Sequence, residues 1–233
     1  MNKLYLLLNI GSILVPFLVS FHPRLKFYKK WPSFFIGVII TSVVFIIWDV
    51  FFLRMGIWGF NPDYYLGYTF FGLPMEEWMF FLFIPYACIF MHYSLLELFP
   101  KFSYNQKRSK QITVLLLCYF TVSLILNYNK WYPLVNYTLA IALLLLVYTS
   151  NKNLLRTYYK TFVIMLIPFI LVNGVLTGTG INDQVVWYNN LENCGVRFFT
   201  IPIEDATYAF TMILSTLYII DFLEKRKKDE DLN

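Results

Sequence analysis

The sequence predicts an all-α membrane protein: a polytopic bundle of seven transmembrane helices, built as two parallel three-helix repeats joined by a linker helix. Three observations predict this fold: the composition, the spacing of apolar runs between basic loops, and a duplicated motif. Hydrophobic residues fill 58% of the 233 positions and charged residues only 14%, whereas a soluble domain carries about 25% charged residues. Such a chain cannot hide its apolar side chains in a water-soluble core. Its three cysteines, Cys88, Cys118 and Cys194, are too few and too scattered for a disulfide framework or a zinc site.

Seven apolar runs are long enough to cross a bilayer, whose hydrocarbon core needs about 20 residues of helix. They cover residues 4–21, 33–53, 75–96, 111–127, 131–149, 160–177 and 202–223. The first run resembles a signal peptide. However, only Lys3 precedes it and no small-residue cleavage site follows it, so we predict a retained span.

The basic residues predict the orientation of these spans. With seven spans, fifteen of the 19 Lys and Arg residues fall on one side, in loops 22–32, 97–110 and 150–160 and in the tail. The other side keeps only Lys3, Arg54, Lys130 and Arg197. The positive-inside rule then places the N-terminus outside and the C-terminus in the cytoplasm, in a bacterial-type cytoplasmic membrane. The basic loops could also bind anionic membrane lipids. We expect no nucleic-acid partner, and the oligomeric state stays open.

An internal repeat divides the chain. Residues 70–80 read FFGLPMEEWMF and residues 198–208 read FFTIPIEDATY, aligned without a gap. Upstream, Asn61 aligns with Asn189, and Trp58 and Trp187 agree to within one residue. We predict a first repeat of three spans over 1–100, a linker with the fourth span over 101–130, a second repeat over 131–225 and a charged tail over 226–233. Because equivalent spans are four helices apart, the repeats run parallel and both motifs lie on one side of the membrane.

Acidic residues in or beside these spans are candidate catalytic groups, and they are Glu76, Glu77, Glu204, Asp205 and Asp49. A charged Asp at the bilayer centre costs about 2.5–3.5 kcal/mol, so such acids usually face the bundle interior and mark function. Asp49 lies late in span two, and Asn173 takes its place in the second repeat. The motif acids follow Pro74 and Pro202 at helix starts, where the helix dipole stabilises anions, so a purely structural role stays open.

The arrangement of the repeats can bring Glu76 close to Glu204. Two carboxylates that share a desolvated site cannot easily both ionise, so one keeps its proton and can serve as a general acid. The helix dipole opposes this by favouring the anion. The sequence does not decide which effect prevails.

Aromatic residues surround both motifs: Trp58, Phe70, Phe71, Trp78, Phe80, Phe81, Trp187, Phe198, Phe199 and Tyr208. Such residues are typical of an interfacial aromatic belt. Their π-faces also stabilise a cation by about 0.5–2 kcal/mol per contact. Acids beside aromatic rings are what a proton-initiated cyclisation of an isoprenoid requires.

At these residues the chain resembles the lycopene cyclase domain family, the integral-membrane type that occurs as two small subunits or as fused forms. The first repeat carries the resemblance at Trp48-Asp49, Trp58-Gly59-Phe60-Asn61-Pro62, Pro74-Met75-Glu76-Glu77 and Phe80-Phe81. The second repeat carries it at Asn173, Trp187, Pro202-Ile203-Glu204-Asp205 and Tyr208. The resemblance covers essentially the whole chain. The second copy lacks the Trp-Asp pair, so the roles of the two halves can differ.

The resemblance implies an isomerisation in carotenoid biosynthesis, in which the acyclic ψ ends of lycopene close to β-ionone rings, giving γ-carotene or β-carotene. It implies Glu76 or Glu204 as the proton donor, with Glu77, Asp205 and Asp49 tuning that acid or accepting the final proton. Asn61, Asn173 and Asn189 would orient the acids, and the aromatic residues would bind the polyene. The partner is then lycopene or a related carotenoid within the lipid bilayer, with no cofactor. One ring or two, β- or ε-rings, and one composite site or two stay open, although we favour one composite site.

Other functions agree less well with the sequence. A flavin-type cyclase needs a dinucleotide-binding fold, but Gly178-Thr179-Gly180 follows a membrane helix instead of a strand. A retinal protein needs a lysine in span seven, and residues 202–223 contain none. A di-iron hydroxylase needs many histidines, whereas the chain has only His22 and His92. Clustered Asp-x-x-Asp motifs of a prenyltransferase are missing. The main alternatives are a membrane carrier of a small or hydrophobic solute and a related terpenoid cyclase with another polyene substrate.

Overall fold

A bundle of α-helices forms the protein, and the computed structural model describes residues 3–230. Within that range the helices are α1 (Leu4–Val19), α2 (Trp31–Arg54), α3 (Met75–Leu98), α4 (Gln106–Leu126), α5 (Trp131–Ser150), α6 (Lys152–Leu176) and α7 (Ile203–Glu230). Two 3₁₀ turns, Phe27–Lys30 and Pro62–Tyr64, lie in the connections. This architecture confirms the predicted all-α membrane bundle. Residues 231–233 of the predicted tail, and residues 1–2, lie outside the described residues.

Six of the seven helices are long and apolar enough to cross a membrane, and α1 is the shorter exception. α1 has 16 residues, or about 24 Å at 1.5 Å per residue, less than the roughly 30 Å of a bilayer core. It packs along α3. The predicted first span is therefore present as a helix, but it is shorter than a full crossing.

Polar capping residues extend two helices beyond their apolar runs. The side chain of Asn105 accepts a hydrogen bond from the backbone N–H of Arg108 at 2.8 Å, so α4 begins at Gln106. Asn151 likewise accepts from the N–H of Leu154 at 3.4 Å, so α6 begins at Lys152. Such caps satisfy backbone N–H groups at a helix start. The apolar run thus marks the lipid-embedded part of each helix, and the cap marks where the helix begins.

The two repeats pack in equivalent ways. α1 packs on α3 as α5 packs on α7, and α2 packs on α7 as α6 packs on α3. The α2–α7 contact is close, since a Cβ at Gly37 would lie 3.2 Å from the carbonyl oxygen of Thr216. The α3–α6 contact is looser, and the two helices border a cavity. The pseudo-symmetry is therefore broken at one of its two equivalent helix contacts.

Short strands lie at the end of the bundle that carries the duplicated motif, which we call the motif face. β2 (Thr69–Phe70) pairs with β3 (Leu73–Pro74), and β5 (Arg197–Phe198) pairs with β6 (Ile201–Pro202). Both hairpins are antiparallel and directly precede α3 and α7. The hairpin prolines, Pro74 and Pro202, immediately precede α3 and α7. Each hairpin turns at a phenylalanine with φ of +54°, Phe71 and Phe199.

A third strand pair joins the two repeats. β1 (Trp58–Phe60) lies antiparallel to β4 (Val186–Tyr188), with Gly59 opposite Trp187. Glu76 and Glu204 are 128 positions apart, and so are Gly59 and Trp187. The residues paired at the centre of β1 and β4 are therefore repeat equivalents. A pseudo-two-fold axis passes between them, as parallel repeats require.

Gly59 leaves room for the Trp187 ring, and this gives a stability prediction. A Cβ at position 59 would lie 2.3 Å from Cζ2 of Trp187. We expect Gly59→Val to destabilise the protein by about 1–3 kcal/mol, because the indole must move. The measurement is the thermal unfolding midpoint of detergent-solubilised protein. Gly11→Ala is the control, since nothing lies within 4 Å of a Cβ there. An unchanged midpoint for Gly59→Val would contradict the prediction.

Candidate functional site

A cavity of about 670 Å³ runs along the inner face of α3. Helices α1, α3, α6 and α7 form its walls, and α2, α5 and the β1–β4 strand pair close its upper end at the motif face. Its walls are overwhelmingly apolar. Three carboxyl groups are among the few polar groups in this lining, and we call them the acid cluster: Asp49, Glu77 and Asp205. Both repeats contribute to this cluster, so the cavity is one composite space.

Two acids of the first repeat form one side of the acid cluster. Glu77 accepts a hydrogen bond from the hydroxyl of Tyr5, and Asp49 Oδ1 accepts one from the hydroxyl of Tyr208 at 2.9 Å. The two carboxyl groups also lie within hydrogen-bonding reach of each other. Since neither carboxylate anion can donate, a hydrogen bond between two carboxyl groups requires one proton. This pair is suited to hold a proton that it can give away.

Asp205 has different surroundings, because three donors converge on its carboxyl group. Tyr132 donates to Oδ1 at 2.7 Å, while Asn173 and Tyr188 donate to Oδ2 at 2.8 Å and 3.0 Å. Hydrogen bonds from donors stabilise the charged form of a carboxylate. Burial, together with the neighbouring charge of Asp205, raises the pKa of Tyr188 well above its usual value, so this phenol stays a donor. With three donors against one each for Glu77 and Asp49, Asp205 is the acid of the cluster best suited to be an anion.

The tyrosines explain part of the difference between the halves. Tyr5 and Tyr132 occupy equivalent places in α1 and α5, since each donates to the second acid of its repeat's motif. Tyr188 and Tyr208 belong to the second repeat, and the residues 128 positions earlier are Phe60 and Phe80. All four line the cavity. At these two equivalent positions, the second repeat therefore presents hydroxyl groups to the acids, whereas the first repeat presents phenyl rings.

The first acid of each motif does not face the cavity. Glu76 and Glu204 are fully buried. Oε1 of Glu76 accepts from the backbone N–H of Leu66 at 2.8 Å, and Oε1 of Glu204 accepts from that of Cys194 at 2.5 Å. These bonds hold the two motif-face loops at equivalent places. The reason is the roughly 100° turn between neighbouring helix residues, which points only the second acid toward the cavity.

Neither Glu76 nor Glu204, which the arrangement of the repeats could bring together, lines this cavity. The acids that line one common cavity are Glu77, Asp49 and Asp205. In each repeat an asparagine also donates to the backbone carbonyl of the first glutamate: Asn9 to Glu76 at 2.9 Å and Asn136 to Glu204 at 2.8 Å. These contacts indicate that the first glutamates position the helix starts and loops.

The aromatic residues named from the sequence divide into two groups. Those that line the cavity are Trp58, Phe80 and Tyr208. Those that lie elsewhere are Phe70, Phe71, Trp78, Phe81, Trp187, Phe198 and Phe199. The hairpin phenylalanines are exposed, with Phe71 at 72% and Phe199 at 75%. They lie at the motif face, as expected of an interfacial aromatic belt, whereas Phe81 packs in the bundle core.

The three asparagines also separate. Asn173 lines the cavity and contacts Asp205. Asn61 and Asn189 lie in the motif-face loops, where their backbone N–H groups donate to the carbonyls of Val185 at 2.9 Å and Ile57 at 2.8 Å. These two bonds flank the β1–β4 pair in equivalent positions. They hold the loops, and neither asparagine side chain bonds to the acid cluster.

Sequence reasoning missed Tyr5, Tyr132 and Tyr188. For Tyr5 and Tyr132 the available signal was repeat equivalence, because each is the second residue of its helix and is followed four residues later by an asparagine. Tyr132 stacks on Tyr188 with ring centroids 6.0 Å apart, and Trp58 lies edge-on to Tyr132 at 5.1 Å. These rings form an aromatic wall beside Asp205.

Comparison with known proteins agrees with the duplicated architecture. A family model described as lycopene cyclase matches residues 2–96 and again residues 129–223. The two matches coincide with the two sets of three helices and leave out α4 between them. Comparison with curated proteins and with solved structures finds no match.

Proposed function

The chain belongs to the lycopene cyclase family, and on that premise we propose that it closes the acyclic ψ ends of lycopene into β-ionone rings. Family membership supports a carotenoid cyclase with a lipophilic substrate in the membrane. The observation that carries the finer assignment is the acid cluster at one end of an apolar cavity. It offers acid chemistry to a substrate with no polar group of its own.

The proposed reaction is an isomerisation. The Asp49–Glu77 pair donates its shared proton to the terminal double bond of the polyene and leaves a tertiary cation. The π electrons of the next double bond attack that cation and close a six-membered ring, which moves the positive charge into the ring. Asp205, held as an anion by its three donors, removes a ring proton. One proton enters, one leaves, and no electron is gained or lost.

The walls of the cavity support the cationic intermediate. Trp58, Tyr132 and Phe80 line the same end as the acids, and an aromatic face stabilises a nearby cation by about 0.5–2 kcal/mol. The apolar lining also excludes water, which would otherwise capture the cation. This chemistry requires a proton donor, aromatic faces and the exclusion of water, and one cavity combines all three.

We propose that the motif face lies outside a bacterial-type cytoplasmic membrane. Fifteen of the 19 basic residues belong to the loops and tail at the opposite end, which the positive-inside rule assigns to the cytoplasm. The acids would then lie near the outer leaflet.

Pigment analysis tests the proposed activity. Lycopene-accumulating bacteria that express this chain should form a carotene of unchanged mass with a blue-shifted spectrum, because ring closure takes end double bonds out of full conjugation. An empty vector is the control. Unchanged lycopene, with the protein shown to be in the membrane, would contradict the proposal and favour another polyene or a carrier.

A further inference from the structure

The cavity is a long groove whose acidic residues all lie at one end. Along α3 its lining runs from Glu77 to Leu98, which is about 32 Å at 1.5 Å per residue. All three acids lie at the motif face, and no carboxyl group occurs among the lining residues farther down. The lower walls are mainly aliphatic and aromatic, with residues such as Ile84, Met165 and Ile213.

The groove reaches the outer surface of the bundle between α1 and α6. Leu7 and Val15 of α1 and Leu171 of α6 all line it, and all three are more than half exposed. Gly11, midway along α1, also lines it, and a Cβ at that position would meet nothing within 4 Å. The acid cluster is thus connected, through this groove, with the surface of the bundle that faces lipid in a membrane.

The pseudo-symmetric counterpart of this groove is closed. The equivalent of the α3–α6 contact is the α2–α7 contact, where a Cβ at Gly37 would lie 3.1 Å from Cγ1 of Ile220 and 3.2 Å from the carbonyl oxygen of Thr216. No room for a polyene remains along that contact. The duplicated fold therefore retains one long binding groove.

Resting on the proposed function, we propose that the groove takes one polyene lengthwise from the lipid, with a single end at the acid cluster. The rest of the polyene lies between α1, α3 and α6, and its far end points toward Leu98. One binding event then closes one ring. A two-ringed product requires the one-ringed carotene to leave sideways into the lipid and to return in the reversed direction.

An isotope chase tests this order of events. Purified protein in lipid vesicles converts labelled lycopene briefly, and a large excess of unlabelled lycopene is then added. We expect labelled one-ringed carotene to appear first. Its conversion to the two-ringed product should then stop, because unlabelled lycopene competes for the groove. If the protein forms only the one-ringed product, that result also supports the proposal, because one end of each bound polyene is closed. Labelled two-ringed product that forms undiminished by the excess would overturn the proposal.

Substitution of a lining residue provides a second measurement that does not depend on catalysis. Gly11→Phe should fill the open space beside the groove and lower the lycopene that co-purifies with the protein about tenfold or more. The matched control is Leu14→Phe, on the same helix, exposed but outside the lining. Equal lycopene binding by the two variants would overturn the groove assignment. Selective loss of binding by Gly11→Phe, in a protein that forms no ring at all, would overturn the proposed activity and leave the groove in place.

Discussion

Glu77→Gln is expected to lower cyclisation about 100-fold or more, because positioned general acids contribute about 10²–10⁴-fold. Glu77 lines the cavity, accepts a hydrogen bond from Tyr5 and lies within hydrogen-bonding reach of Asp49. Glutamine cannot hold the proton that we propose the pair shares. The measurement is the initial rate of ring formation from lycopene in vesicles, at matched amounts of folded membrane protein.

Glu76→Gln is the matched control for this prediction. The neighbouring Glu76 bonds to the N–H of Leu66 outside the cavity lining, and a glutamine oxygen can accept the same bond. We expect this variant to keep activity within about tenfold of the parent, since one buried hydrogen bond contributes about 0.5–1.5 kcal/mol. Reversed results, with Glu76→Gln inactive and Glu77→Gln active, would return the role of donor to the first acid of the motif.

Asp205→Asn is expected to lower cyclisation by a comparable factor of about 100. Asparagine is a poor base and cannot remove the ring proton, and its NH₂ group would oppose at least one of the three donors that now converge on Asp205. Because ring closure precedes this step, the variant should also release a larger share of products in which the ring double bond lies elsewhere. Chromatography of the products measures both effects.

Glu204→Gln is the control for Asp205→Asn, as it changes the adjacent acid that bonds to the N–H of Cys194. An Asp205→Asn variant with the parent's rate and product pattern would show that another group accepts the proton. If the Glu77 and Asp205 variants each lost only half of the activity, two independent sites would be indicated instead of one composite site.

Much of this fold can be predicted from the sequence, because apolar runs and basic loops report directly on lipid burial. The duplicated motif also predicts the parallel repeats and the shared face of both acid pairs. The early starts of α4 and α6 depend on the caps Asn105 and Asn151, which hydropathy does not register. Those differences move helix ends without altering the architecture.

The site was less predictable, since it depends on which way side chains point at two helix starts. Two adjacent acids look equivalent in a sequence, yet Glu77 meets the cavity and Glu76 meets a loop N–H. The roles of Tyr5 and Tyr132 depend on contacts that join residues more than 70 positions apart. The closure of one groove and the opening of the other depend on small differences in helix packing, such as that at Gly37.

The pairing of Gly59 with Trp187 bears on how such a protein can arise. In a dimer of identical subunits, a residue on the two-fold axis meets a copy of itself. Two tryptophans would collide at this point, and two glycines would leave the space of an indole unfilled. Joining both copies in one gene frees each to mutate alone, so a small residue can face a large one. The fused chain can therefore specialise its halves, one as a proton source and the other as a proton sink.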